Sequence, residues 1–231
     1  MSMEEIYRER IVRIAQTVLQ GRRPRSIGYN ARIPTHGPEL HDPVVRLHTS
    51  GGGWCIGWAR LDRGQAQGLL GRTLGELFRL PEGALEEGRP VDLPLWDLAA
   101  RLLGLPLYRL LGARGSREVE TYDGSIYIDD LNADEARTRQ IFAEEVQSGQ
   151  KHGYRNFKVK VGRGARWMPP AQGLARDILV VEAVRQAAGP QAKVLIDANM
   201  GNTLNSALEL LEGCAGAGIY WFESPLPRTP P

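Results

Sequence analysis

Phe157-Lys158-Val159-Lys160-Val161-Gly162 alternates apolar residues with lysines, which is the period-2 pattern of a β-strand. Lysine is rare elsewhere, because the 29 Lys and Arg residues include only four lysines. Side chains alternate along a strand, so Lys158 and Lys160 lie on the same face. Unlike Arg, Lys loses its proton near neutral pH once burial or a neighbouring cation lowers its pKa. The pair therefore indicates proton-transfer chemistry or, as the alternative, the solvated face of an edge strand.

The segments around this strand alternate between predicted strands and predicted helices. Strands are predicted over 118–122, 156–161, 193–197 and 219–223, with helices that begin at 132 and that span 172–188 and 203–216. Strands alternating with helices predict βαβ units and a parallel sheet. Residues 116–231 are therefore predicted to form a partial β/α barrel of about four strands.

The first half of the chain has a different pattern. We predict a helix over 4–20, strands over 26–30, 43–48 and 54–59, and helices over 62–70, 73–78, 90–103 and 106–112. A polar loop is predicted over 31–42. This mixture predicts an α+β N-terminal domain over 1–115.

The composition is that of an ordinary globular protein. The 231 residues are 42% hydrophobic and 24% charged, and the net charge of +2 favours neither nucleic acid nor a membrane surface as a partner. The N-terminal segment lacks the continuous apolar stretch of a signal peptide. Cys55 and Cys214 have no metal-binding spacing. We expect a cytoplasmic protein with free thiols that binds no nucleic acid and no membrane.

Two further predicted strands end in a carboxylate. Asp197 ends one of them and is followed by Asn199, and Glu223 ends the next. Catalytic residues of β/α barrels lie at the carboxyl ends of the strands. Oxygen ligands at that edge suit Mg²⁺. The alternative for each carboxylate is a helix N-cap or a turn, but their coincidence with the lysine pair favours a Mg²⁺ site.

These residues also carry a family resemblance. FKVKVG at 157–162, LIDANMG at 195–201 and WFESPL at 221–226 resemble the successive barrel strands of the enolase superfamily, in its mandelate racemase/muconate-lactonizing branch. LWDL, LGLP and LLG within 95–112 resemble the link between that branch's two domains. The resemblance implies an α+β N-terminal capping domain followed by the first half of a (β/α) TIM-type barrel.

The resemblance implies a role for each residue of these motifs. Lys160 would be the base that removes a proton α to a carboxylate. Lys158 would hold that carboxylate and lower the pKa of Lys160. Asp197 and Glu223 would be two Mg²⁺ ligands, and Asn199 would contact the substrate. The metal would neutralise the charge that develops when the proton leaves.

Other residues are candidates for substrate binding. Asp123 and Ser125 follow the predicted first barrel strand, although Asp-Gly-Ser also suits a turn. His36 and His41 lie in the predicted polar loop, where the resemblance implies a specificity loop over the barrel mouth. Solvated loop histidines are the alternative. Trp167 follows the lysine strand and suits either substrate access or packing.

The resemblance also implies limits. Ser224 stands where many relatives carry a second Glu. A third metal carboxylate and a second acid/base group are expected after residue 231. A half barrel leaves open strand edges and an uncovered face, which parallel sheets normally bury. We expect a chain that is C-terminally shortened relative to the family, binds Mg²⁺ weakly alone, and forms a homo-oligomer.

The predicted function is Mg²⁺-dependent abstraction of a proton α to the carboxylate of a small-molecule substrate. The expected reaction is dehydration of an acid sugar to a 2-keto-3-deoxy acid. Racemases, epimerases and cycloisomerases share the same first half-reaction and stay open as alternatives. Two further alternatives are a catalytically incomplete fragment and a β/α binding protein without a metal.

Overall fold

The computed structural model describes residues 1–35, 37–116 and 118–228 and divides into two compact units. The first unit comprises Met1–Arg22 and Glu39–Arg117, and the second comprises Arg23–Pro38 and Glu118–Pro231. The predicted boundary between 115 and 116 stays a prediction. The structure adds that residues 23–38 pack with the second unit.

The first unit combines helices with a small antiparallel sheet. Its elements are α1 (Met3–Arg8), β1 (Ile11–Ile27), β2 (Gly37–Thr49), β3 (Trp54–Trp58), α2 (Arg63–Leu69), α3 (Leu74–Leu77), β4 (Phe78–Arg79), β5 (Gly83–Ala84), α4 (Asp92–Leu103) and α5 (Leu107–Leu110). The three-stranded sheet has the order β1-β2-β3, and its β1 and β2 continue into residues 23–38. Its core includes the fully buried Leu47, Leu74 and Leu95.

The predicted helix over 4–20 is wrong. Helix α1 ends at Arg8 and β1 begins at Ile11. Ile11 donates to the carbonyl of Arg72 at 2.9 Å and accepts from Gly71 at 2.8 Å, a pairing with a distant segment. β-Branched residues follow Ile11 and favour a pleated strand. The isoleucines are spaced as they would be on one face of a helix. The hydrogen bonds to residues 71 and 72 nevertheless make this segment a strand.

The second unit contains a four-stranded parallel sheet in the chain order β6-β7-β8-β9. Its strands are β6 (Asp123–Ile126), β7 (Phe157–Lys160), β8 (Val194–Asp197) and β9 (Ile219–Glu223), and its helices are α6 (Glu135–Lys151), α7 (Pro170–Ala188) and α8 (Leu204–Gly213). This alternation confirms the predicted fold class, an α+β N-terminal part followed by the first half of a β/α barrel.

One face of the parallel sheet forms the core of the second unit. Val159 and Ile196 on this face are fully buried, as are Phe142 on α6 and Val184 on α7. Full burial of such a side chain stabilises the fold by about 1.5–3 kcal/mol. Because side chains alternate, Lys158 and Lys160 project to the opposite face.

The first barrel strand lies later in the chain than predicted. Residues 118–122 form no strand, and β6 begins at Asp123, whose N–H donates to the carbonyl of Asn156 at 2.8 Å. Val119 is 78% exposed, so this apolar residue is not part of a buried strand. Across the described residues, no helix is long and apolar enough to cross a membrane.

Candidate active site

Strand register places the predicted catalytic and metal-binding residues in one row. Lys160 on β7 is the register partner of Asp197 on β8, which is the partner of Glu223 on β9. All three lie at the carboxyl ends of their strands. Lys158 precedes Lys160 by one strand period and shares its face. The structure therefore brings together the four charged residues of the predicted site.

The four side chains form a chain of ion pairs. Lys160 Nζ lies 2.5 Å from Asp197 Oδ2, and Lys158 Nζ lies 2.8 Å from Glu223 Oε2 and 3.6 Å from Asp197 Oδ2. The Asp197 side chain is 1% exposed, whereas that of Glu223 is 38% exposed. The buried charges are thus paired, which offsets the cost of removing them from water.

The carboxylates dominate the electrostatics around Lys158. Burial acts to lower the pKa of Lys158, but the hydrogen bond to Glu223 and the charges of Asp197, Glu223 and Tyr122 raise it above its ordinary value. Lys158 is therefore a charged group that is paired with two carboxylates.

Two tyrosines that the sequence analysis missed lie against the lysines. The ring centroid of Tyr122 is 5.3 Å from Lys158 Nζ, and that of Tyr127 is 5.2 Å from Lys160 Nζ. Aromatic faces at this distance attract an ammonium group. In the sequence, the two tyrosines stand on either side of β6. That position does not reveal that they contact the lysines.

Asn199 lies beside the buried carboxylate. Its N–H donates to Asp197 Oδ1 at 2.9 Å, and its Nδ2 lies 3.4 Å from Asp197 Oδ2. Within the described part of the chain, Asn199 Oδ1 is buried and has no hydrogen-bond partner. A buried acceptor of this kind costs free energy unless a ligand, ion or water satisfies it.

The turns after β8 and β9 have strained backbones. Asn199, Met200 and Ser224 have φ values of 45°, 63° and 43°, in the left-handed region that non-glycine residues avoid. The Met200 N–H donates to the Ser224 carbonyl at 2.7 Å and joins the two turns. Such strain costs about 1–3 kcal/mol per residue and is concentrated at functional sites.

Asp123 and Ser125 form a hydrogen-bonded pair within one strand. They lie within β6 rather than after the first strand. The Ser125 N–H and hydroxyl donate to Asp123 Oδ1 at 2.9 and 2.6 Å. A Cβ placed on Gly149 of α6 would lie 2.5 Å from Asp123 Oδ2, so this carboxylate faces the helix layer. Asp-Gly-Ser is thus part of a strand rather than a turn, and the substrate-binding role of both residues stays a prediction.

Of the two histidines of the predicted loop, the structure describes only His41. His41 is in β2 rather than in a loop, is exposed, and lies 3.5 Å from Glu39 Oε2. His36 is outside the described residues. Their substrate-binding role stays a prediction.

Residues 23–38 contact the segments that follow the barrel strands. Tyr29 and Ile128 exchange backbone hydrogen bonds of 3.0 and 2.9 Å. Trp167 Nε1 donates to the Asn30 carbonyl at 2.6 Å, and its ring packs edge-on against Tyr29 at 4.9 Å. Trp167 therefore packs against this segment, which was one of its two predicted roles.

The chain is similar to known proteins in both sequence and fold. The model of the Enolase C-terminal domain-like family matches residues 142–230. D-galactarolactone cycloisomerase from Agrobacterium fabrum is 31% identical over 195 residues, which are 77% of this chain and 48% of that protein. Galacturonate dehydratase from Geobacillus sp., solved with D-galacturonate and 5-keto-4-deoxy-D-galacturonate, matches 96% of this chain with a TM-score of 0.85 and 33% identity. The chain belongs to the enolase superfamily.

This superfamily member resembles enzymes of several activities. Arabinonate dehydratase from Saccharolobus solfataricus is 30% identical over 137 residues, which are 59% of this chain and 33% of that protein. The chain spans about half the length of the first curated relative and 60% of the Geobacillus dehydratase chain. One structure of that dehydratase is a complex with Mg. The predicted membership of the mandelate racemase/muconate-lactonizing branch is confirmed.

Proposed function

We propose that this protein catalyses Mg²⁺-dependent abstraction of a proton α to a carboxylate, as an acid-sugar dehydratase. The row Lys160–Asp197–Glu223, with Lys158 beside it, is the observation that carries the proposal. It combines a candidate base, a candidate group for binding a carboxylate, and two candidate metal ligands on one face of a sheet. Catalysis of this kind needs charge stabilisation and a base within reach of the same carbon.

The donor set fits Mg²⁺. Asp197 and Glu223 are register partners, so their carboxylates lie at the same sheet edge. Their oxygens are the ligands that Mg²⁺ prefers, and Asn199 Oδ1 is a buried acceptor nearby without a partner. Among the described residues, no cluster of three or more His, Cys, Asp or Glu side chains completes a metal site. Asp197 and Glu223 would hold the ion, which would supply positive charge beside the substrate carboxylate.

The lysines would divide the remaining work. A cation bound to the two carboxylates would neutralise part of their negative charge. The interactions with Asp197 and Glu223 that raise the pKa of Lys158 would then be weaker. Lys158 would then bind the substrate carboxylate. Lys160, whose side chain is 9% exposed, would take the α-proton in a site that largely excludes water.

The dehydratase outcome rests on the relatives. After the base removes the α-proton, a general acid would protonate the β-hydroxyl, which leaves as water, and the enol that remains would tautomerise to the 2-keto-3-deoxy acid. Arabinonate and D-gluconate dehydratases are at least 30% identical to the chain, and the Geobacillus dehydratase matches nearly all of it. The cycloisomerase from Agrobacterium and the D-Ala-D/L-Ala epimerase from Cytophaga hutchinsonii keep isomerisation as the second candidate.

A proton-exchange experiment tests the proposal. The protein is incubated in D₂O with Mg²⁺ and, separately, D-galacturonate, galactarate, arabinonate and D-gluconate. Proton NMR follows loss of the α-proton signal, and an assay for 2-keto acids detects dehydration. Exchange with keto-acid formation supports the dehydratase, and exchange without it supports isomerisation. A folded sample that exchanges none of the acids contradicts the proposal. Sedimentation of the same sample tests the predicted homo-oligomer.

A further inference from the structure

A buried charge network lies next to the strand that carries the two lysines. Arg163 follows β7 and is fully buried. Its Nε and Nη2 donate to Asp130 Oδ1 at 3.0 and 2.7 Å, and its Nη1 donates to Asp177 Oδ1 at 2.6 Å. A buried guanidinium is tolerated because two carboxylates pair with it. This network has no assigned part in the proposed reaction.

The same network holds the turn that follows Lys160. Asp177 Oδ2 accepts from the Gly162 N–H at 2.7 Å and from the Arg163 N–H at 3.2 Å. Arg163 Nη1 lies 3.4 Å from the Lys160 carbonyl oxygen. Gly162 has a φ of 92°, in the left-handed region that favours glycine. The network thus contacts the backbone of Lys160 and of both residues that make the turn.

Arg163 also anchors the loop beyond this turn. Its carbonyl accepts from the N–H groups of Trp167 and Met168 at 2.9 and 3.1 Å. Trp167 in turn donates its indole N–H to Asn30. One buried residue therefore links the end of β7 to the segment packed against it.

We propose that Arg163 is a positioning residue for Lys160. Through Asp177 and the turn, it fixes the end of β7 and so the direction of the Lys160 side chain toward the substrate carbon. The inference rests on the proposed role of Lys160 as the base. A displacement of about 1 Å at a reacting group lowers the rate about 100-fold. A purely structural Arg163 would instead change only the fraction of folded protein.

Arg176 provides a matched control in the same network. Its Nη1 lies 3.2 Å from Asp130 Oδ2 and donates to Thr138 Oγ1 at 2.8 Å and to the Ala133 carbonyl at 3.0 Å. None of these contacts involves the turn after Lys160. Arg176→Met and Arg163→Met therefore both remove a partner of Asp130, but only Arg163→Met also removes the side-chain contacts to Asp177 and to the Lys160 carbonyl.

The experiment uses the scarcity of lysine. Labelling with ¹⁵N-lysine gives four backbone amide signals, one for each lysine of the chain. We expect Arg163→Met to shift the Lys160 signal and leave that of the distant Lys151 in place, while Arg176→Met leaves the Lys160 signal unmoved. In D₂O with Mg²⁺ and D-galacturonate, Arg163→Met should lower the exchange rate per folded molecule about 100-fold with KM within about twofold.

Two results would overturn the proposal: an unmoved Lys160 signal in folded Arg163→Met, or equal shifts in the two variants. If Arg163→Met does not fold, Asp177→Asn is measured instead, since it keeps an oxygen acceptor and the side-chain volume. The same shift of the Lys160 signal is expected, and its absence counts against the proposal. A wild-type protein that exchanges no acid refutes the proposed function, while the NMR comparison still decides whether Arg163 positions Lys160.

Discussion

Lys160 Nζ and Asp197 Oδ2 lie 2.5 Å apart on register-partner residues of two parallel strands. The proposal gives these atoms different functions, because one belongs to the base and the other to a metal ligand. The same Asp197 oxygen lies 3.6 Å from Lys158 Nζ. Under the proposal, Mg²⁺ would compete with the two ammonium groups for this one buried carboxylate, and the following two predictions depend on that competition.

Asp197→Asn should weaken Mg²⁺ binding by at least about tenfold, because it removes the buried charge that attracts the ion. Isothermal titration calorimetry with MgCl₂ measures the affinity. Glu209→Gln, an exposed change on α8, is the control and should leave it unaltered. Equal Mg²⁺ affinities of the wild type and Asp197→Asn would show that Asp197 is not a metal ligand.

Lys160→Met should lower the α-proton exchange rate by about 10²–10⁴-fold, because the candidate base is lost while the side chain keeps similar length. The measurement is the exchange rate in D₂O with the acid that the wild type turns over. Lys151→Met, at an exposed lysine near the end of α6, is expected to retain full activity. Retained exchange in Lys160→Met would assign the base elsewhere.

Neither cysteine should react with iodoacetamide at pH 8 in the folded protein. Burial raises the pKa of both Cys55 and Cys214 to about 12, so the reactive thiolate is scarce well below that pH. Mass spectrometry of the labelled protein checks this. Both thiols should be modified once guanidinium unfolds the chain, and rapid labelling of the native protein would contradict their burial.

Two leucines of α8 should differ sharply in their effect on stability. Leu210 is 1% exposed and Leu208 is 51% exposed. Leu210→Ala should lower the free energy of unfolding by about 2–5 kcal/mol, because it leaves a cavity. Leu208→Ala should change it by no more than about 0.5 kcal/mol. Urea denaturation measures the free energy of unfolding of both variants. Similar losses of stability would contradict the burial of Leu210 and the exposure of Leu208.

Gly162→Ala should destabilise the protein by about 1–3 kcal/mol. Gly162 has a φ of 92°, and an added Cβ would lie 2.8 Å from Ala31 Cβ and 3.2 Å from the Ala198 oxygen. Gly216→Ala is the control, because no atom lies within 4 Å of its added Cβ. Thermal unfolding of both variants tests the difference. An unchanged midpoint for Gly162→Ala would show that the turn relaxes freely.

The residues of the row were predictable because their signals are local. The alternation in 157–162 places Lys158 and Lys160 on one face of a strand. The carboxylate at the end of each following strand can be seen in the sequence without knowing the fold. Parallel strands then bring those ends to one edge. The register of β7, β8 and β9 agrees with that expectation.

Other features depend on partners far along the chain. Ile11 pairs with the segment at 71–72, which turned a helical spacing into a strand. Asp123 faces Gly149 rather than the lysines, because β6 begins later than its apolar pattern suggested.

The sequence alone determined the alternation of strands and helices and the chemistry at the strand ends, because both arise from neighbouring residues. Only the tertiary structure decided that Tyr122 and Tyr127 lie against the lysines and that Arg163 is buried between Asp130 and Asp177. Those contacts join residues that are far apart in the chain, so no residue pattern within a single segment predicts them. Their physical cause is the packing and desolvation of charges that the folded chain brings together.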